Sequence, residues 1–287
     1  RDQKVPGTRN RELDPLTGQV NRGFDINPFS YALNSSRSIT PYDEDGNLEY
    51  FRRNYAPFNI LDELDKNFID INVVDISAQT DFEIRPKDNF VIKGVFQGRY
   101  ATTTQDHTVH EESNQAEAYR ADATGAIRAG NNLLFNDPEN PGLRPTVLLP
   151  QGGFKYFNES QFLNFFSRIS AEWNTTINSD HEINVLAGQE IRFTNRSEST
   201  STGIGVVYES GGVVVTEPKI IEFFNLQNIN YFSLNDERDR FLGSFLNGGY
   251  AYKGKYVANF TVRYDGSNQL GISKAARYLP TYNVSGA

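Results

Sequence analysis

The sequence predicts an all-β chain, part of a transmembrane antiparallel β-barrel with about seven strands and long extracellular loops. Three observations predict it: long stretches that alternate with period two, a charge-free face on each of them, and aromatic residues at or near their ends.

Val74 to Ile84 reads V-D-I-S-A-Q-T-D-F-E-I, placing Val74, Ile76, Ala78, Thr80, Phe82 and Ile84 on one face and Asp75, Gln79, Asp81 and Glu83 on the other. Successive strand side chains point to opposite faces, so this is an extended segment with one dry and one wet surface. Pro86-Lys87-Asp88-Asn89 signals a turn, and Phe90 to Tyr100 returns with Phe90, Ile92, Phe96 and Tyr100 opposite Lys93, Gln97 and Arg99. The pattern recurs at Leu163 to Trp173, at Glu182 to Phe193, and at Tyr256 to Tyr264. Hairpins are therefore expected at 74–100, 163–193 and 241–265, with turns at Ile177 to Asp180 and Lys253 to Lys255. A seventh strand starts near Tyr278 and runs towards Ala287, while the faces of Phe241 to Tyr252, rich in glycine, cannot be assigned from pattern alone.

The dry faces of the five clear strands contain no Asp, Glu, Lys or Arg, although 22% of the chain is charged. A charge at mid-membrane costs about 2–4 kcal/mol, which accounts for the exclusion. Eleven tilted residues cross a bilayer core. Trp173, Phe193, Tyr100 and Tyr264 suit interfacial girdles. Short turns alternate with long linkers, so the segments at 101–162 and 194–240 are expected to be extracellular loops, and 1–73 a loop-rich segment. Ser113 to Ala121 reads as a short helix within the first of them.

Composition bounds the rest. A formal net charge of -8 gives no basic footprint, so no nucleic-acid partner is expected. Without cysteine there is no disulfide, thiolate metal site or cysteine nucleophile. No apolar run is long enough for a transmembrane helix, and Arg1 opens without a signal peptide's apolar core. The mean hydropathy of -0.55 does not argue against a barrel, because every second strand residue faces water.

The wet-face charges expected to line a lumen are Lys93, Arg99, Arg168, Glu172, Glu190, Arg192 and Arg263, together with Asp75, Asp81 and Glu83. Among loop aromatics, Phe29, Tyr31, Tyr119, Phe154 and Tyr156 are candidates to stack on a sugar or anchor a peptide, with packing between loops the more economical role. His107 and His110, beside Glu111 and Glu112, lack a third metal ligand fixed by spacing. Asp43 to Asn47 has part of a calcium loop, but Tyr55 stands where the closing carboxylate belongs, so an exposed acidic turn is the better reading. Asp62, Glu63 and Asp65 fit a short amphipathic connector better than paired catalytic acids. No phosphate-binding loop, zinc-protease motif or nucleophile elbow occurs, so no enzyme, catalytic residue, metal or cofactor is expected.

Asn27 to Phe51 reads N-P-F-S-Y-A-L-N-S-S-R-S-I-T-P-Y-D-E-D-G-N-L-E-Y-F, and Phe58 to Leu64 reads F-N-I-L-D-E-L. Farther on stand Y-K-G-K-Y at Tyr252 to Tyr256, V-R-Y-D-G-S-N at Val262 to Asn268, and Y-L-P-T-Y-N-V-S-G-A at Tyr278 to Ala287. In content, order and spacing these blocks resemble the SusC/RagA family of TonB-dependent outer-membrane transporters, across nearly the whole chain. The resemblance implies a barrel of about 22 strands with an internal plug, location in the cell outer membrane in contact with its lipid, a SusD-like surface lipoprotein partner, coupling to TonB, and import of glycan or peptide oligomers. The TonB box, plug, N-terminal extension and terminal strands have no counterpart here, so the chain is expected to be an internal piece of the barrel domain. The rival reading is a secreted carbohydrate-binding or adhesin β-sandwich, in which the dry faces pack on one another. A surface glycosidase with paired carboxylates is weaker still.

Overall fold

The computed structural model describes residues 2–6, 11–13, 20–22, 26–215, 217–226, 228–271 and 277–286, with side chains from residue 26 onward except Ser30 and Asn34. Ala287, the expected end of the seventh strand, and Arg1 lie outside the described residues. In chain order the early elements are β1 (Asp2–Pro6), β2 (Arg11–Leu13), β3 (Val20–Arg22), α1 (Pro28–Asn34), β4 (Phe51–Arg53), β5 (Ala56–Phe58) and α2 (Ile60–Lys66). The hairpins follow as β6 (Asn67–Lys87) and β7 (Phe90–Val109), then α3 (Asn114–Ala118), α4 (Gly125–Gly130), β8 (Gly153–Ile177) and β9 (His181–Val207). The chain continues through β10 (Val213–Val214), α5 (Lys219–Leu226), β11 (Phe232–Tyr252), β12 (Tyr256–Ser267) and β13 (Tyr278–Gly286). Strand accounts for 58% against 14% helix, so the chain is all-β. One nine-stranded sheet runs in the order β1-β6-β7-β8-β9-β11-β12-β13, with β10 paired to β9.

The strands outrun the sequence reading. The expected hairpins at 74–100, 163–193 and 241–265 are the middles of strands that continue to Val109, start at Gly153, continue to Val207 and start at Phe232. The expected loops at 101–162 and 194–240 shrink accordingly. The physical reason lies in composition: Ala101 to Asp106 and Asn195 to Thr202 are polar at nearly every position, so neither face is apolar and the period-two signal disappears while the backbone ladder goes on.

The chain divides into two compact units. Unit 1 comprises Arg1–Val73, Thr103–Glu159 and Ser199–Leu234, and it owns the buried cores. One core gathers Val109, Ala116, Phe135, Leu148, Leu149, Phe154, Ile204, Ile220, Phe223 and Phe224; another gathers Ile26, Phe58 and Ile60. The helix α5 contributes Ile220, Phe223 and Phe224, spaced to fall on one helical face. The start of α2 is fixed by Asn59, whose Oδ1 accepts from Leu61 N at 2.9 Å, with Asp62 and Glu63 in the first turn and Lys66 in the last. Ser113 caps α3, its Oγ accepting from Ala116 N at 3.2 Å, which places the short helix where the sequence expects it.

Unit 2 comprises Val74–Thr102, Ser160–Glu198 and Asn235–Ala287. Its turns are tight: Asn178 and Ser179 have φ of 50° and 61°, and Lys253 and Gly254 have 51° and 63°. Two successive positive φ values match the right-handed twist of the flanking strands. The register resolves the arm that pattern alone left open. Leu246 pairs with Val262, Gly248 with Phe260 and Tyr250 with Ala258, while Phe245 pairs with Arg263 and Gly249 with Asn259. Directly paired residues share a face, so from Leu242 to Tyr252 the even-numbered residues of β11 are on the dry side and the odd-numbered on the wet side. On the dry side the Phe82 ring lies against Gly94 on the neighbouring strand, where a β-carbon would collide with it, and stacks on Phe96 at 6.0 Å.

No apolar side chain of unit 2 is buried among the described residues. Ile76 is 62% exposed and Val262 45%, with Phe165, Ile169 and Phe260 similarly bare.

Candidate functional site

The polar face of unit 2 is built strand by strand through contacts that fix its sidedness. Arg99 on β7 binds Asp75 on β6 with Nη2 at 2.6 Å and Nε at 3.0 Å from the carboxylate. Lys93 Nζ lies 3.7 Å from Glu172 on β8. Arg168 Nη2 donates to Glu190 on β9 at 2.8 Å, and Arg192 Nη2 approaches the same carboxylate at 3.3 Å. Arg263 on β12 donates to Asp265 at 2.6 Å. Lys93, Arg99, Arg168, Glu172, Glu190, Arg192 and Arg263 each stand in an ion pair, and the three pairs that cross between strands put Asp75 with Arg99, Lys93 with Glu172 and Arg168 with Glu190 on shared faces. The exposed pairs Arg99–Asp75 and Lys93–Glu172 register the face more than they stabilise it, since a surface pair contributes about 0–1 kcal/mol, whereas Glu190 is buried beneath its two arginines.

Sequence reasoning missed the aromatic part of this face. Phe162 lies beneath two guanidiniums, Arg99 at 5.4 Å and Arg196 at 5.5 Å from the ring centroid, and Arg196 donates to Asp239 at 2.8 Å. Phe166 and Phe241 take the same position beneath other arginines. Arg196 and Asp239 fell within segments read as loops. Phe166 falls between Phe165 and Arg168 on the alternate face of the strand, and an aromatic among charges carries no periodic signal; the pattern F-x-x-x-F-x-R from Phe162 to Arg168 is the available clue. Nearer the turns, Asn89, Asn174, Glu182, Asn184 and Asn259 line a hollow of about 550 Å³. A separate hollow of about 310 Å³ is lined by Ile183, Val185, Tyr250, Ala258, Phe260 and Val284, the dry-face side chains.

The loop candidates in unit 1 separate. Phe154 is 0% exposed, with Tyr119 edge-on at 5.0 Å and Tyr156 stacked at 5.7 Å. Phe154 is therefore a core residue, and its expected role as a ligand contact gives way to packing. Tyr119 and Tyr156 pack against that core, and Tyr31 packs on Phe51 and Phe58. Phe29 alone of the five presents most of its surface, at 74%.

Buried polar groups tie unit 1 together. Glu63 accepts from Asn114 N at 2.6 Å, and Asn114 Nδ2 donates to the carbonyls of Arg53, Ala56 and Pro57. Burial pushes the Glu63 carboxyl up to about 7, against the opposing pull of the Asn114 N–H. The sequence reading treated Glu63 as a connector residue; the signal available was its place in I-L-D-E-L, where it falls on the helical face of Ile60. Burial works to raise Glu111 as well, but backbone N–H groups, including those of Glu209 and Tyr208 at 3.1 Å, hold it below the usual carboxylate range. His107 Nε2 lies 2.7 Å from Asn67 Oδ1, while the His110 ring stacks on Tyr208. Among the described residues no group of three His, Asp or Glu stands where it could hold a metal ion. In the acidic turn, Asp43 Oδ1 accepts from Asn47 N at 2.8 Å and Asp45 N at 3.0 Å, which holds its carboxyl below the ordinary value.

No protein-family model and no curated protein matches the sequence. Among solved structures, the chain is similar to the RagAB peptide importer in the "closed-closed" state, with TM-score 0.53 and 14% identity over 86% of this chain and 23% of that one. A RagAB peptide transporter structure gives TM-score 0.52 and 15% identity over the same shares, and the importer's "open-open" state gives 0.51 and 14%. This chain thus spans less than a quarter of the length of the chains it resembles. At such identity the likeness is one of fold: the antiparallel sheet is built as part of a RagAB transporter chain is built.

Proposed function

We propose that this chain forms part of the wall and loops of an outer-membrane β-barrel that imports nutrient oligomers, glycans or peptides, in a complex with a SusD-like surface lipoprotein and with energy from TonB. The observation that carries the reading is the bare dry face of unit 2. A water-soluble sheet with that many uncharged apolar side chains needs a second layer to cover them, as a β-sandwich provides. Here Ile76, Phe96, Ile169 and Val262 have none among the described residues. Contiguous apolar surface of this kind marks a membrane or partner interface, and the likeness of fold to RagAB transporter chains supports the membrane choice. Lys93, Arg99, Arg168, Glu172, Glu190, Arg192 and Arg263 then face the aqueous interior, where charge is tolerated. The loops of unit 1 lie on the extracellular side, with Phe29 exposed for contact with ligand or lipoprotein.

The test is fractionation and reconstitution of the full-length protein. It is expected in the outer membrane, soluble only in detergent, and able to take up labelled oligomers into cells in a TonB-dependent manner. Recovery as a soluble monomer without detergent overturns the reading.

A further inference from the structure

We propose that Arg168, Arg192 and Arg263, floored by Phe166 and Phe241, form a subsite for a carboxylate carried by the transported oligomer. This rests on reading the polar face as the ligand's path.

Three arginines project from β8, β9 and β12 with two carboxylates among them. Glu190, only 4% exposed, is shared: its Oε2 accepts from Arg168 at 2.8 Å and its Oε1 lies 3.3 Å from Arg192 Nη2. A single enclosed negative charge therefore fixes two guanidiniums and neutralises one. Asp265 neutralises Arg263 through Nε, at 2.7 and 2.6 Å from its two oxygens. The group is left with one excess positive charge. The rings complete the frame. Arg168 and Arg192 stand 5.6 and 5.7 Å from the Phe166 centroid, and Arg192 and Arg263 each 5.9 Å from that of Phe241. Each distance lies within the range of cation–π attraction.

A guanidinium carries five N–H donors in a planar fork, and Glu190 occupies one on Arg168 and one on Arg192. Those two side chains are half-exposed, so donors remain on the water side. A purely structural pair needs one arginine per carboxylate. Here two like charges share one partner, and the repulsion between them is relieved by an incoming anion. The planar fork suits bidentate recognition of a carboxylate, and one excess charge matches a monoanion better than a phosphate dianion. The carboxylate has two chemical sources: a peptide's acidic side chain or C-terminus, and a uronic-acid residue of a glycan.

The experiment uses the full-length transporter in detergent, with binding measured by calorimetry. Two probe pairs separate the sources: an acidic peptide against its fully amidated form, and an oligogalacturonate against its methyl ester. In one pair the charged member is expected to bind about tenfold tighter, the difference that one charge-assisted hydrogen-bonded contact supplies, and to lose the advantage at high salt. Arg192→Gln is expected to abolish that preference while leaving the neutral member within about twofold of the wild type. Arg263→Gln, away from the Glu190 pair, gives a second variant should the first fail to assemble, and is expected to reduce the preference. Equal affinity for charged and neutral members in both pairs, or equal weakening of both by Arg192→Gln, overturns the subsite while leaving the import reading standing. Absence of binding by any oligomer, charged or neutral, removes the import reading and the subsite with it.

Discussion

In unit 1, Phe135, Phe154 and Phe224 are enclosed by other side chains, whereas in unit 2 Phe96, Phe165 and Phe260, on β7, β8 and β12, face outward. The residue type is the same. What differs is the source of burial. Removing a phenylalanine from water contributes about 1.5–3 kcal/mol, and unit 1 obtains this from its own α3, α5 and loop segments. In unit 2 the described chain leaves 36–43% of each of Phe96, Phe165 and Phe260 uncovered. In the proposed setting hydrocarbon covers that part, and the absence of charge from the dry positions at 74–84, 90–100, 163–173, 183–193 and 256–264 follows from the same cause. A sheet that relied on a second protein layer would tolerate a snorkelling lysine at the layer's rim; one bathed in lipid tolerates none at its centre.

The largest expected effect tests the self-contained side. Phe154→Ala removes a fully enclosed ring and leaves a cavity among Tyr119, Tyr156 and the core, at a cost of about 3–5 kcal/mol. Hydrogen exchange on the full-length protein should show amides of α3 and α5 losing protection while strand amides at 165–173 and 183–191 keep theirs. Equal loss in both sets would mean that unit 2 depends on the core of unit 1, and the contrast drawn above would fail.

Next in size is a charge on the bare face. Phe96→Arg or Ile169→Arg should cost about 2–4 kcal/mol and impair assembly into membranes. Gln97→Arg or Ser170→Arg, one residue along and on the opposite face, should assemble nearly as the wild type does. The readout is the detergent-resistant, heat-modifiable band of the assembled barrel. Indistinguishable outcomes for neighbouring positions would remove the lipid-facing assignment.

A smaller effect separates the units by pH. Glu63 is enclosed in unit 1 with its carboxyl raised from 4.5 to about 7, chiefly by burial, and with Asp62, Lys66 and Glu117 acting on it. Below about pH 4.5 the folded and unfolded chains both hold the proton and the contribution is fully present. As pH rises towards 7 the unfolded chain releases its proton first, so stability falls across that window, by roughly 3 kcal/mol at most. Protection of the amides in α3, corrected for intrinsic exchange, should therefore be greater at pH 5 than at pH 7.5. Glu63→Gln should flatten the dependence, and an unchanged slope in that variant would assign it to another group.

How much of this was legible in sequence divides along the same line. The hairpins of unit 2 could be read because one face is dry and the other wet, and Lys93, Arg99, Arg168, Glu172, Glu190, Arg192 and Arg263 each stand in an ion pair. Where β7, β8 and β9 run on through segments such as Ala101 to Asp106 and Asn195 to Thr202, nothing apolar marks a face and the strand reads as loop. Unit 1 resisted for another reason. Its core draws Val109, Leu148, Ile204 and Phe223 from segments far apart in the chain, and no local period reports which of them meet. Glu63 and Asn114 were illegible likewise: their partners lie 51 and up to 61 residues away.

The smallest expected effect asks whether tight packing means the same in the two units. At Gly153 in unit 1 an added β-carbon meets the backbone carbonyl of Val109, which no side-chain change can move. At Gly94 in unit 2 it meets the Phe82 ring, the free end of a side chain. Gly94→Ala alone should cost about 1–3 kcal/mol as the ring is forced aside. With Phe82→Ala in the same chain the two changes should cost less than the sum of the singles, a coupling of about 0.5–3 kcal/mol in a double-mutant cycle on urea unfolding from bilayers. Gly153→Ala should show no such rescue with Phe82→Ala. If the Gly94 and Phe82 substitutions add without coupling, the ring does not lean on the glycine, and the dry face packs more loosely than the cross-strand stacking of Phe82 on Phe96 implies.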